Sequence, residues 1–210
     1  MTEVFVTLNV PEDEAFLSLY RDLPITVVRN AIPLGFGANH NRAFDQASGD
    51  IFVVVNPDVR ITHAPFEALA RGFEDARVGA CAPVVVAPDG EVEDSVRRFP
   101  SVVRLAVRVL LRRRRAEYPI NLPAPLPIDW AAGMFVAFRC RAFRSVSGFD
   151  ERYFMYFEDA DICRRLWRGG WSVLLVPGAK VIHDAQRASH RSAEHLRWHL
   201  RSALRFLCGV

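Results

Sequence analysis

Lysine is nearly absent from this 210-residue sequence: Lys180 is the only one, against 26 arginines. Such a skew follows base composition more readily than a demand for guanidinium chemistry. No stretch approaches eighteen consecutive apolar residues, which excludes a bilayer-spanning helix. No basic-then-apolar leader is present either, because Met1 runs straight into the strand-like TEVFVTLNV, so a cytoplasmic location is expected. Cys81, Cys140, Cys163 and Cys208 form no CxxC pair, which excludes a zinc site built from cysteine and suits free, mostly buried thiols. Ordinary counts of 12 glycines and 13 prolines exclude collagen-like and low-complexity classes. With 50% hydrophobic residues and a net charge of +3, disorder is excluded as well.

Acidic residues are missing from one segment in particular. Eight arginines lie between Arg97 and Arg115 with no Asp or Glu among them, and without those eight the rest of the chain sums to −5. A mildly acidic body therefore carries one strongly basic stretch.

Apolar patterning predicts strands over 3–9, 24–29 and 51–56, the last a short β-branched run suited to burial on both faces of a parallel sheet. Helices are expected over about 39–47, after a glycine-bearing turn, and over 64–76, 101–116, 158–168 and 190–207, with Gly169-Gly170 closing the fourth. VGACAPVVV and GEVEDSVRRF read as strands or a hairpin about the Pro88-Asp89-Gly90 turn. AAGMFVAFR, WSVLLVP and AKVIH read as further strands, and 118–128 as a proline-rich connector. Strands alternating with helices give an α/β fold with one domain. Its expected parts are 1–100, the connector region 101–128, a second half over 129–189, and a C-terminal amphipathic helix over 190–210.

Four constellations can carry chemistry. Asn56-Pro57-Asp58 follows the strand 51–55, where ligands gather in open α/β sheets. A carboxylate there suits Mg²⁺ or Mn²⁺ bridging phosphates, or it caps the strand end as an Asx-turn. Glu158, Asp159 and Asp161 open a helix, where they favour the helix dipole and pair with Arg165. The aromatic stretch before them (Tyr153, Phe154, Tyr156, Phe157) can exclude water and tune a carboxylate into a general base. His183 ends the strand AKVIH and is either a satisfied surface group or a companion to Asp in a Mn²⁺ shell. The turn with Gly35, Gly37, Asn39 and Asn41 can offer backbone N–H groups to a phosphate or nucleoside, or is a plain strand-to-helix turn.

Taken in order, GFGANHNRAF, NPDV, the stretch around Trp130 and Gly133, GFDERYFMYFEDADICRRL and VIH resemble the family 2 glycosyltransferases of GT-A fold, closest to their rhamnosyltransferase-like branch. The resemblance covers about residues 24–183. It implies a nucleotide-binding sandwich around a central, mostly parallel mixed sheet. It also implies inverting transfer of a sugar, rhamnose in that branch, from a dTDP- or UDP-sugar to a glycan or lipid-linked glycan in cell-surface polysaccharide synthesis. By the same resemblance Asp159 is the base and Glu158 orients the acceptor. Asp58 and His183 hold Mg²⁺ or Mn²⁺, with Asn56 where many members carry Asp. Asp129, Trp130 and Gly133 lie on the acceptor side, where Tyr156 of the aromatic loop is also expected. Asn9 stands at the nucleoside-contacting position, VFVTLN corresponds to the family's second strand, and the usual first strand-helix unit is absent from these residues.

Arg104, Arg108, Arg112 and Arg115 share one helical stripe, and Arg197, Arg201 and Arg205 oppose Leu196, Leu200 and Leu207. Basic amphipathic helices over 101–116 and 190–207 can rest on an anionic membrane at its inner face, or be solvated faces of packed helices. No nucleic-acid motif accompanies the arginines. Two other classes stay open: a nucleotidyltransferase, which needs a Gly-rich loop with Lys or Arg that the GFGANHN turn lacks, and a non-catalytic sugar-nucleotide or glycan-binding module.

Overall fold

A computed structural model of the protein describes residues 3–104, 107, 117–120, 122–184 and 193–209. Most of the basic segment, 105–106 and 108–116, lies outside the described residues, as do 185–192.

The core is a six-stranded sheet of β3 (Ile51–Val55), β4 (Val59–Arg60), β5 (Val78–Val86), β7 (Leu126–Pro127), β9 (Phe135–Arg139) and β10 (Ser172–His183). Its order is β3-β9-β5-β10-β4, with β7 also paired to β10. Two parallel strands, β1 (Val4–Leu8) and β2 (Ile25–Arg29), form a separate pair, and β6 (Val96–Arg97) pairs antiparallel with β8 (Trp130–Ala131).

The sheet is mixed, and the expectation of a mostly parallel one needs correction. Only β5 and β10 pair in parallel, while β9 enters antiparallel between β3 and β5. The run 51–55 is accordingly an edge strand: Phe52 and Val54 are buried, Ile51 and Val53 half-buried, and Val55 exposed. Both faces are still partly covered, which is why the apolar run looked central. The central places belong to β5, buried at every residue, and to β9. WSVLLVP and AKVIH are one strand rather than two, because a register shift between Val176 and Lys180 absorbs Pro177 and Gly178 within the ladder to β5.

The alternation of β5 splits the core. Ala80, Ala82, Val84 and Val86 join Phe44, Phe138, Phe143 and Phe149 on one face. Cys81 and Val85 meet Leu69, Phe73 and Phe135 under α2 (Phe66–Gly72) on the other. The first face is covered by α1 (Phe36–Phe44), α3 (Cys140–Ser145) and α4 (Glu158–Arg168). α1 starts three residues before the expected Asn39, because the Phe36 N–H is taken by the Phe154 carbonyl at 2.9 Å and Gly35 is the N-cap.

α5 (Ala193–Cys208) buries Ser202 and Phe206, packs Trp198 against Phe154 and sets His199 edge-on to Phe157. Its leucines do not form the packed side: Leu196, Leu200 and Leu204 are 61%, 56% and 63% exposed.

Strands β3, β5 and β10 run the same way and end together at Val55, Val86 and His183, while β9 begins at that same end. Asp58 and His183 lie along this edge.

Candidate active site

The strand ends bring Asp58, Glu93 and His183 together from three parts of the chain. His183 is buried, with Nε2 3.3 Å from Asp58 Oδ2 and Nδ1 2.8 Å from Glu93 Oε2. Asp58 is held through its backbone, its carbonyl accepting the Asp184 N–H at 3.1 Å, while its Oδ1 is buried with no hydrogen-bond partner. Buried carboxylate oxygens are rarely left so. Two neighbouring ligands of one ion at ~2.1 Å each stand roughly 3 Å apart, so Asp58 and His183 fit a hard divalent cation of the Mg²⁺ or Mn²⁺ kind. Among the described residues no set of three His, Cys, Asp or Glu side chains converges as metal ligands. Such an ion would therefore take its remaining ligands from phosphate oxygens and water.

The second centre is the carboxylate pair at the start of α4. Tyr156 and Phe157 both adopt left-handed backbone, with φ of 71° and 68°, uncommon for aromatic residues and a sign of imposed strain. Their conformation turns the chain so that Glu158 is buried and Asp159 keeps some exposure. Burial first, and then the adjacent Asp159 charge, push the Glu158 carboxyl up to about 8, and its Oε2 has no hydrogen-bond partner. Asp159 is also pushed upward by burial, but two backbone donors oppose this: Gly133 N–H to Oδ2 at 3.1 Å and Ala160 N–H to Oδ1 at 2.8 Å, with Arg97 adding positive field. Those two backbone donors favour the shared negative charge on Asp159 over Glu158. A partly exposed, basic carboxylate with fixed geometry is a competent proton acceptor.

A three-residue turn joins the two centres. Ala132 N–H donates to the Ser95 carbonyl at 2.7 Å, Gly133 N–H to Asp159, and the Asn56 N–H to the Met134 carbonyl at 2.9 Å. The loop carrying Asp58 and the helix carrying Asp159 are thus fastened to successive residues of one turn. Glycine makes the packing there close: a Cβ on Gly133 would lie 3.0 Å from two atoms of the Phe36 ring and 3.7 Å from Asp159 Cβ, so the ring would have to give.

The other sequence-predicted residues fall into three groups. Asn9, on the β1 side, spends its amide on Leu34, donating to the carbonyl at 3.0 Å and accepting the N–H at 2.8 Å. Asn30 links Asn9 to Asn39 at 2.9 and 2.6 Å. Asn41 instead holds the loop before the aromatic stretch, bonding the N–H and carbonyl of Phe149. Gly35 and Gly37 are required by close approach, since a Cβ on either would lie 2.6 Å from Phe154 O and Phe149 Cβ respectively. Asp129 accepts from the Tyr118 hydroxyl and the Phe99 N–H, both at 2.7 Å. Trp130 donates to the Arg98 carbonyl and lies under the Arg97 guanidinium at 5.1 Å. Tyr156 reaches His195 of α5 at 2.7 Å.

Sequence reasoning missed Glu93, Asn30 and Arg97 as members of these clusters. Glu93 carries no local signal, since its partner is ninety residues away. Arg97 was visible only as one of a run of arginines.

An α/β sheet with these centres at its strand ends is the GT-A glycosyltransferase fold, and solved structures of that kind superpose on it. GalNAc-T7 with UDP, GalNAc and Mn²⁺ matches with a TM-score of 0.66 at 14% identity, over 87% of this chain and 37% of that one. The Pyrobaculum calidifontis mannosyltransferase PcManGT, in complex with GDP-Man and Mn²⁺, matches at 0.61 and 20%, over 97% and 55%.

The chain belongs to glycosyl transferase family group 2, whose sequence model matches residues 51–210. It is 34% identical to the N-acetylglucosaminyl-diphospho-decaprenol L-rhamnosyltransferase of Mycobacterium tuberculosis strain H37Rv, over 83% of this chain and 64% of that protein. It is 31% identical to the rhamnosyltransferase WbbL of Escherichia coli K12, over 82% and 70%. The chain thus spans under two thirds of the mycobacterial relative.

Proposed function

We propose that this protein transfers a sugar, rhamnose by the likeness to its relatives, from a nucleoside diphosphate donor to a hydroxyl of a glycan or lipid-linked glycan, with inversion. The observation that carries this reading is the turn 132–134, which ties the Asp58 loop and the Asp159 helix together at one sheet edge. Asp159 accepts the acceptor's hydroxyl proton as that oxygen attacks the anomeric carbon from the face opposite the diphosphate. The bond from the anomeric carbon to the diphosphate oxygen breaks, and its electron pair leaves with the phosphate. Glu158 orients the acceptor beside the base, where burial disfavours a second negative charge. Asp58 and His183 would hold Mg²⁺ or Mn²⁺, which supplies charge neutralisation on the departing diphosphate. The decaprenol in the mycobacterial relative's name supports a lipid-linked acceptor.

That acceptor class also supports contact with a membrane. No described helix is long and apolar enough to cross one. On α5, however, exposed Leu196, Leu200 and Leu204 lie beside exposed Arg197 and Arg201, and the helix's other side stacks on the aromatic loop before Glu158. Apolar residues entering the interface with arginines at the phosphate level would set the lid of the site against the lipid surface.

The test is release of nucleoside diphosphate from dTDP-rhamnose and from UDP-sugars, with Mn²⁺ and a polyprenyl-diphospho-sugar acceptor. Acceptor-dependent release from one donor is the expected result. Release from none, by a chain that binds no nucleoside diphosphate, overturns the reading.

A further inference from the structure

We propose that Glu93 is a positioning residue for His183: it accepts the Nδ1–H and so directs the Nε2 lone pair at the Asp58 carboxylate and at the cation placed there. The inference rests on the reading of Asp58 and His183 as cation ligands and adds to it a residue from another part of the chain.

The two sides of the imidazole are unequal. The Nδ1 contact to Glu93 Oε2, at 2.8 Å, has the length of a hydrogen bond to a charged acceptor. The Nε2 distance to Asp58 Oδ2, 3.3 Å, is longer than such bonds run. A neutral imidazole carries one N–H, and the shorter contact assigns it to Nδ1. The lone pair that remains points at a carboxylate whose other oxygen is buried without a partner. This is how a histidine ligand is prepared: a carboxylate behind it fixes the tautomer and the ring plane and makes the ligating nitrogen more basic.

Glu93 is well placed to do this. Its N–H donates to Val85 at 2.9 Å and its carbonyl accepts from Ser95 at 2.8 Å, fixing it beside the end of β5. The hairpin that returns the chain there turns on Gly90, whose φ of +87° is a conformation glycine adopts freely. Val86 pairs with both Val92 and Ile182, so Glu93 and His183 follow two neighbours of the same residue. The carboxylate is thus carried on rigid backbone to the far side of the ring, away from the position a cation would take.

The experiment is titration of Mn²⁺ alone into the purified chain, followed by electron paramagnetic resonance. It is paired with long-range proton–nitrogen spectra of His183 in the metal-free protein, and run on wild type, Glu93→Gln, Glu93→Ala and Asp58→Asn. Wild type is expected to bind Mn²⁺ and show Nδ1 protonated. Glu93→Gln retains an acceptor oxygen and should keep both properties, with affinity within a few-fold. Glu93→Ala should lose the Nδ1–H preference and bind Mn²⁺ roughly 10- to 100-fold more weakly. Wild-type protein that binds no Mn²⁺ overturns the cation reading itself. Wild type that binds through Asp58 while Glu93→Ala binds equally well, or a wild-type His183 with its proton on Nε2, overturns the role of Glu93 alone.

Discussion

The backbone N–H of Gly133 donates to the Asp159 carboxylate at 3.1 Å, and so a glycine between two strands fixes the oxygen proposed to take a proton. Replacing Asp159 by Asn removes the base while leaving an oxygen to accept from Gly133. Asp159→Asn is expected to melt within a few degrees of wild type and to lose transfer by at least 10³-fold. Donor turnover and thermal denaturation on the same preparation check this, and near-wild-type turnover would remove Asp159 as the base.

Gly133→Ala tests the turn. The added methyl meets the Phe36 ring at 3.0 Å, so either the ring or the turn must shift. A stability loss of about 1–3 kcal/mol is expected, with a fall in kcat larger than any change in donor affinity. Chemical denaturation and steady-state kinetics separate the two effects.

The carboxylate pair also sets a pH dependence, with a definite sign. Glu158 is raised from 4.5 to about 8 in the fold, so the folded chain binds a proton more tightly than the unfolded one. Its contribution to stability therefore falls as pH rises through that window, and Asp159 acts in the same sense. His40, half-buried against Phe36 and Phe149, is lowered by desolvation from 6.5 to about 4 and costs stability as pH falls through its own window. Between about pH 4.5 and 6.5 His40 opposes the carboxylates, and above that window only the carboxylate loss remains. Glu158→Gln should reduce the loss of stability on the alkaline side. Melting temperatures from pH 4 to 9 for both proteins decide it.

Nucleoside diphosphate binding should depend on Mn²⁺ or Mg²⁺ and on Asp58. Calorimetry is expected to show affinity falling at least tenfold in chelator and in Asp58→Asn. Equal affinity in chelator would refute the assignment of Asp58 to a cation.

Membrane contact through α5 predicts flotation with vesicles rich in anionic lipid at low salt, reduced by Leu196→Ser and Leu200→Ser together and weakened by added salt. Wild-type protein left at the bottom of the gradient rejects it.

What could be read in the sequence was local. Asn56-Pro57-Asp58 after a strand, acidic residues at a helix start and a histidine at a strand end each show within about ten residues, and all lie where expected along the chain. Strand direction was not readable, because hydropathy reports burial and not orientation. Ile51–Val55 looked central for that reason, although β9 takes the inner place beside it. Pro177-Gly178 looked like a break, yet the β5 ladder resumes after it. The eight-arginine segment also divides: Arg97 and Arg98 lie over Trp130 and Tyr118, so part of that charge is bound up in packing.

The strained backbone at Tyr156 and Phe157 is held from outside its own segment. Tyr156 is tied to His195, and the Met155 carbonyl to Ser202 at 2.8 Å, a partner 47 residues later in the chain. On a ribosome that emits the chain from its N-terminus, α5 begins ten residues after β10 ends, so the sheet and its brace emerge in close succession. The turn before the acid pair gains these two braces only once that helix has docked. The setting of the proposed base and the leucines proposed to meet lipid therefore depend on one and the same helix.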